Sequence, residues 1–220
     1  MVQTGGLSFG PLPGTAVEAR ALAGILPRSV VLLERDATET AVKSMHGPEV
    51  LHIATHGFFI DGSGPDFSDG NPLVRSGLAL AGANSRHSGD EDGVLTALEV
   101  AGLDLWGTQL VVLSACNTGL GDTRTGEGVS GLRRALVLAG SESQVISLWS
   151  VSDSATRELM VSFYRRLLAG DGRTDALRSV QLEMLRNRRT SHPFYWAGFI
   201  QSGDWRPLEL VVRSSATARP

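Results

Sequence analysis

The stretch Leu110-Val111-Val112-Leu113-Ser114-Ala115-Cys116-Asn117-Thr118-Gly119 decides the fold. Four aliphatic residues in a row, then small and polar ones, read as a parallel strand buried on both faces that delivers a side chain to its C-terminal edge. The delivered residue is Cys116, the only cysteine in 220 residues. In open α/β sheets, ligands bind outside the carboxyl ends of the strands. A second run, Glu49-Val50-Leu51-His52-Ile53-Ala54-Thr55, ends the same way at His56-Gly57, which opens a loop.

Outward from these two runs, strands alternate with helices. Thr15 is expected to cap a helix over residues 16–26, and Val30 to Leu33 reads as a short strand. Thr38 caps a short helix ending near Met45. A long polar loop runs from Phe58 to Asn71, and Leu78-Ala79-Leu80 marks another strand. Thr96 with Glu99 forms a capping box. Leu120 to Gly126 is a second loop, and Glu127 opens a helix that Gly140 ends. Gln144 to Trp149 is a buried strand. Met160, Phe163, Tyr164, Leu167 and Leu168 share a helical face, Thr174 starts the next helix, and Phe194 to Ile200 reads as a final aromatic strand. The alternation implies an α/β fold with a largely parallel, three-layer sheet. Residues 1–220 read as a single domain, with 213–220 as a frayed tail.

Composition narrows the function. With 42% hydrophobic and 20% charged residues, the chain can build a real core. The net charge is −3, without a basic stripe interleaved with aromatics, so nucleic acid is not an expected partner. No apolar run approaches the roughly 18 residues of a membrane span, and the first ten residues lack a signal-peptide pattern. A lone thiol excludes an internal disulfide and suits a reducing, cytoplasmic setting. No cofactor and no metal are expected. His52 and His56 have a zinc-like spacing on a helix, but on a strand four residues span about 13 Å, too far for one ion. His52 is read as a satisfied core residue.

Cys116 as a buried small hydrophobe is the plain reading of a lone cysteine. Its strand-end place, small neighbours and partner histidine point instead to a thiolate nucleophile with His56 as proton shuttle. The N–H groups of Gly57 and Cys116 are candidate oxyanion donors. Asp153 has two readings: a helix N-cap shared with Ser152, or a carboxylate at the floor of a pocket for a basic side chain. Trp149 is a core aromatic or a wall of that pocket.

Five ordered blocks resemble the CHAT domain, a caspase-like family related to caspases and separases. They are residues 51–57 (LHIATHG), 71–78 (NPLVRSGL), 113–119 (LSACNTG), 147–153 (SLWSVSD) and 192–199 (HPFYWAGF). The resemblance runs from Pro11 to Trp205. It implies a caspase-like three-layer α/β/α sandwich with a mostly parallel central sheet, and a catalytic dyad of His56 and Cys116, sixty residues apart. Caspases proper place their histidine about 50 residues upstream and carry Gln-Ala-Cys-x-Gly. This chain has Ser-Ala-Cys-Asn-Thr-Gly, so aspartate specificity does not carry over. The Trp149 to Asp153 segment is similar to one in separases whose acidic residue receives arginine.

Two departures stand out. Family members usually have more sequence before the Pro-Leu-Pro-Gly-Thr block and often follow helical repeats, so a TPR-type regulatory partner or an N-terminal module is implied. Position 117 is Asn, where an acidic residue is common. The expected activity is a cysteine endopeptidase acting on a protein or peptide substrate. The alternative is a non-catalytic interaction module on the same scaffold. An α/β thiol hydrolase with a Gly-x-Cys-x-Gly elbow is disfavoured, because Ser114 and Thr118 occupy the glycine positions.

Overall fold

The computed structural model describes residues 8–26, 28–60, 72–114, 116–117 and 127–209; for residues 72, 116–117 and 127–128 the description covers the backbone alone. The expected tail at 213–220 and the loop at 120–126 lie outside these residues, as do positions 61–71 of the first long loop.

A four-stranded central sheet is built from β1 (Val50–Ile53), β5 (Leu110–Leu113), β7 (Ser143–Ser147) and β8 (Phe199–Gly203), in that order. β1, β5 and β7 are parallel, and β8 closes the edge antiparallel to β7. All four residues of β5 are 0–1% exposed. Alternate side chains serve opposite layers: Leu110 and Val112 pack with Leu159, Met160 and Phe163, whereas Val111 and Leu113 pack with Leu51, Ile53, Leu132 and Leu136. The first layer is α1 (Pro13–Ala23), α5 (Asp153–Leu168) and α6 (Arg173–Arg186). The second holds α2 (Glu39–Lys43), α3 (Ala97–Val100) and α4 (Glu127–Leu138). The chain is thus an α/β/α sandwich with a mostly parallel central sheet, consistent with a caspase-like architecture.

A second sheet, in the order β4 (Val94–Thr96), β3 (Ser76–Ala79), β2 (His56–Phe59), β6 (Cys116–Asn117), extends the first. β2 follows β1 after Ala54 and Thr55, and β6 follows β5 after two residues. Thr55 and Ser114 mark where the strands leave the central sheet. The Ser114 N–H continues the ladder by one more bond, to Ile53 O at 2.9 Å, and the Thr55 hydroxyl donates to Ala79 O of the outer sheet.

This changes several expectations. His56-Gly57 does not open a loop: it begins β2, which antiparallel pairing with β3 and parallel pairing with β6 hold extended. Cys116 is not the last residue of one long strand but the first of a separate short one. Val30 to Leu33 is in no strand, and Val30 is 87% exposed; the aliphatic pattern is present without a ladder partner among the described residues. Residues Pro193–Tyr195 form a single 3₁₀ turn, and the last strand starts at Phe199. Thr15 lies inside α1, its hydroxyl donating back to Leu12 O at 2.8 Å. Thr38 does cap α2, accepting from Ala41 N, and Thr96 with Glu99 makes the full capping box.

Leu113 is the last residue of β5 and carries this packing to the point where the chain leaves the central sheet. Leu113→Ala should destabilise the protein by about 2–5 kcal/mol. A lower denaturant midpoint with an unchanged slope is the expected readout; an unchanged midpoint would contradict this packing.

Candidate active site

His56 is the first residue of β2, and its register partners are Ala79 in β3 and Cys116 in β6. Hydrogen-bonded strands lie about 4.8 Å apart. The two residues singled out from sequence are therefore direct neighbours across a parallel pair. Gly57, next in β2, is opposite Leu78 and Asn117 and is already engaged by a partner.

The His56 ring is held by a segment ahead of α1. Its Nε2 lies 2.7 Å from Gly10 O, so Nε2–H donates to that carbonyl. The Phe9 ring covers the imidazole, centroids 5.6 Å apart, and also contacts Phe58. Nδ1, the remaining ring nitrogen, is buried and has no hydrogen-bond partner among the described residues. A neutral imidazole whose Nε2 carries the hydrogen has its basic lone pair on Nδ1.

Asp153 and Trp149 come together in a small cleft beside the site, with Ser114, Ser147, Thr15 and Glu18 also on its walls. Its cavity of about 20 Å³ has room for one water. Ser152, not Asp153, is the N-cap of α5, and it makes no side-chain capping bond; Asp153 is the first helical residue. The Asp153 carboxyl fills the space above Gly14 in the first turn of α1, where an added Cβ would lie 2.1 Å from Oδ2. The carboxylate thus sits at the first turns of two helices, where negative charge is favoured. The Trp149 indole N–H donates to Phe194 O at 3.1 Å, and its ring packs on Gly198.

Beneath the cleft lies a polar network. His52 Nδ1 is 3.0 Å from the Tyr164 hydroxyl, and Nε2 is 2.9 Å from Glu18 Oε1. Burial first, then the Glu18 charge, pushes the Tyr164 hydroxyl above its usual range, so it stays protonated and can donate to His52. His52 is a satisfied core residue, and Glu18, 3% exposed, ties α1 to β1.

Glu39, Glu91 and Glu99 are the one trio of possible metal-ligating groups among the described residues. Lys43 Nζ sits 2.8–3.0 Å from a carboxylate oxygen of each, so a fixed ammonium fills the place of an ion. Burial works against the charge of Lys43, but its three carboxylates outweigh that and raise its pKa. Burial raises the pKa of Glu39, partly offset by Lys43.

The sequence model of the CHAT domain matches residues 2–204. The chain belongs to the CHAT family. Tetratricopeptide repeat protein 28 of Homo sapiens is 26% identical over 218 residues, a match covering 89% of this chain and 8% of that protein. The Mus musculus protein of the same name is 26% identical over 214 residues, covering 89% of this chain and 9% of the relative. The chain therefore spans less than a tenth of the length of these curated relatives. No helix among the described residues is long and apolar enough to cross a membrane.

Gly10, Phe9 and Glu18 had no role assigned from sequence. Gly10 acts through its carbonyl, which no side-chain pattern reports.

Lys43→Met would leave Glu39, 1% exposed, without its cation. The variant should lose about 3 kcal/mol near neutral pH, as for other broken buried pairs. The sign with pH follows from Glu39: its folded pKa is already raised and rises further, so the deficit shrinks as the pH falls and the carboxyl takes up a proton. Thermal unfolding across pH measures this; a deficit that grows on acidification would refute it.

Proposed function

We propose that this CHAT domain is a cysteine endopeptidase working through a His56–Cys116 dyad. The observation that carries the reading is the strand register: His56 and Cys116 are paired residues of β2 and β6, and Nε2 of His56 is tied to Gly10 O, which leaves Nδ1 as the proton acceptor. In this mechanism Nδ1 takes the thiol proton and the thiolate attacks the scissile carbonyl. The tetrahedral oxyanion is received by the backbone N–H groups of Cys116 and Gly57. The imidazolium protonates the leaving amine, and the thioester is then hydrolysed by a water that gives its proton to His56. Asp153 supplies the charge for a basic residue before the scissile bond, with Trp149 as the wall of its pocket; the cleft, which has room for one water here, has to open to admit that side chain.

The relatives named for tetratricopeptide repeats support a helical-repeat module or partner as regulator of this domain. A lone thiol suits action in a reducing compartment, and cytoplasmic action of a single catalytic domain is part of the proposal.

Alkylation of Cys116 by iodoacetamide tests the dyad without knowledge of the substrate. His56→Ala should slow it by roughly ten- to thirtyfold at neutral pH, the range between a few per cent thiolate and full ionisation. Equal rates in both proteins would sink the dyad and favour the non-catalytic module.

Specificity is tested with a positional peptide library. Asp153→Ala should weaken cleavage after Arg or Lys selectively, and Gly14→Ala, which intrudes on the Asp153 carboxyl, should act in the same direction. A uniform loss across all peptides would mark Asp153 as a purely structural residue of the helix turn.

A further inference from the structure

Asn84 follows β3 in a tight turn on the outer sheet. Its side-chain amide holds both backbone groups of Phe9: the Phe9 N–H donates to Oδ1 at 2.9 Å, and Nδ2 donates to Phe9 O at 2.8 Å. One side chain thus does for the segment ahead of α1 what a rung of a β-ladder does with backbone. The turn that carries Asn84 is itself rigid. Gly82 has φ +89°, and a Cβ there would lie 1.9 Å from His87 O. Ala83 N–H donates to Leu80 O, and the side chain of Ala83 is buried with Phe58 and Val94 against the Phe9 ring.

From this anchor the contacts run directly to the site. With the Phe9 peptide fixed, its ring lies on His56, and the next carbonyl, Gly10 O, accepts the Nε2 hydrogen at 2.7 Å. Around Gly10 itself a Cβ would meet nothing within 4 Å, so on the side away from α1 its carbonyl depends on the hold on Phe9. The buried Nδ1, without a hydrogen-bond partner among the described residues, is the ring atom whose basicity depends on that carbonyl.

We propose that Asn84 is a positioning residue for His56, acting through Phe9 and Gly10 to fix the orientation and tautomer of the imidazole for the dyad. The inference rests on the dyad reading above, and its experiment separates the two. The first arm is NMR of the imidazole N–H in a Cys116→Ser background, which does not need an active enzyme. The parent should show a slowly exchanging Nε2–H resonance of His56. Asn84→Ala should lose it through exchange with water, and Asn84→Asp, which keeps the acceptor for the Phe9 N–H but not the donor to Phe9 O, should fall between. Phe9→Ala, which removes the covering ring and leaves the backbone, should also speed the exchange. Asn84 is exposed, so its substitutions should leave the fold intact by circular dichroism.

The second arm is the iodoacetamide rate at Cys116 in the otherwise native chain, expected to fall about three- to tenfold in Asn84→Ala. A merely structural anchor would lower the melting temperature and move neither readout. A His56 N–H that exchanges equally slowly in Asn84→Ala and parent overturns the positioning role. A changed resonance with an unchanged alkylation rate overturns its service to Cys116, and an unchanged rate in His56→Ala as well assigns that failure to the dyad itself.

Discussion

A strand that is buried on both faces and hydrogen-bonded along both edges has nowhere to go. β5 is such a strand: Leu110 to Leu113 face helices on either side and are laddered by β1 and β7. Everything near the site is placed relative to it. The chain leaves β5 at Ser114, directly beside the end of β1, and resumes two residues later alongside β2. Burial of four aliphatic side chains, each contributing roughly 1.5–3 kcal/mol, thus fixes the launching point of the strand that carries Cys116.

The second determinant is the buried polar network under the cleft. Glu18, His52 and Tyr164 come from α1, β1 and α5, and each satisfies another's hydrogen-bonding group. Such a network is costly unless complete, and when complete it allows one arrangement of its three elements. It sets the first turn of α1 against Asp153, and hence the shape of the cleft that Asp153 and Trp149 share with Ser114.

The central sheet was legible because its signals are local. The β5 run, the Thr38 and Thr96 caps and the helical spacing from Met160 to Leu168 can be read without knowing what they touch. The outer sheet was not. The His56-Gly57-Phe58-Phe59 run has no alternation and contains a glycine; it is extended because β3 and β6 pair with it, and pairing across long separations leaves no mark in a window of ten residues. Val30 to Leu33 fails in the opposite sense, carrying the pattern of a strand without a ladder to join. His56 and Cys116 were both picked out for standing where buried strands end. The ends are bends into a second sheet, and the bends bring the two residues into register. The partners of the His56 ring, Gly10 and Phe9, act through a carbonyl and a tilted aromatic ring, neither of which composition reveals.

The short β2–β6 pairing at one edge of the outer sheet is set apart from the packing that keeps the molecule folded. The central sheet is enclosed by both large apolar clusters, and Leu78 of β3 and Leu95 of β4 root one side of the outer sheet in one of them, whereas β2 and the two-residue β6 lie toward the other side, where Phe58 belongs to a small cluster. Misalignment of β6 against β2, a pairing of only two register positions, would disturb far less of this packing, yet it would separate His56 from Cys116. A melting temperature is therefore a poor proxy for the integrity of this site. Variants that look native by calorimetry can be chemically silent, and selection acting on stability alone would leave the β2–β6 edge free to drift.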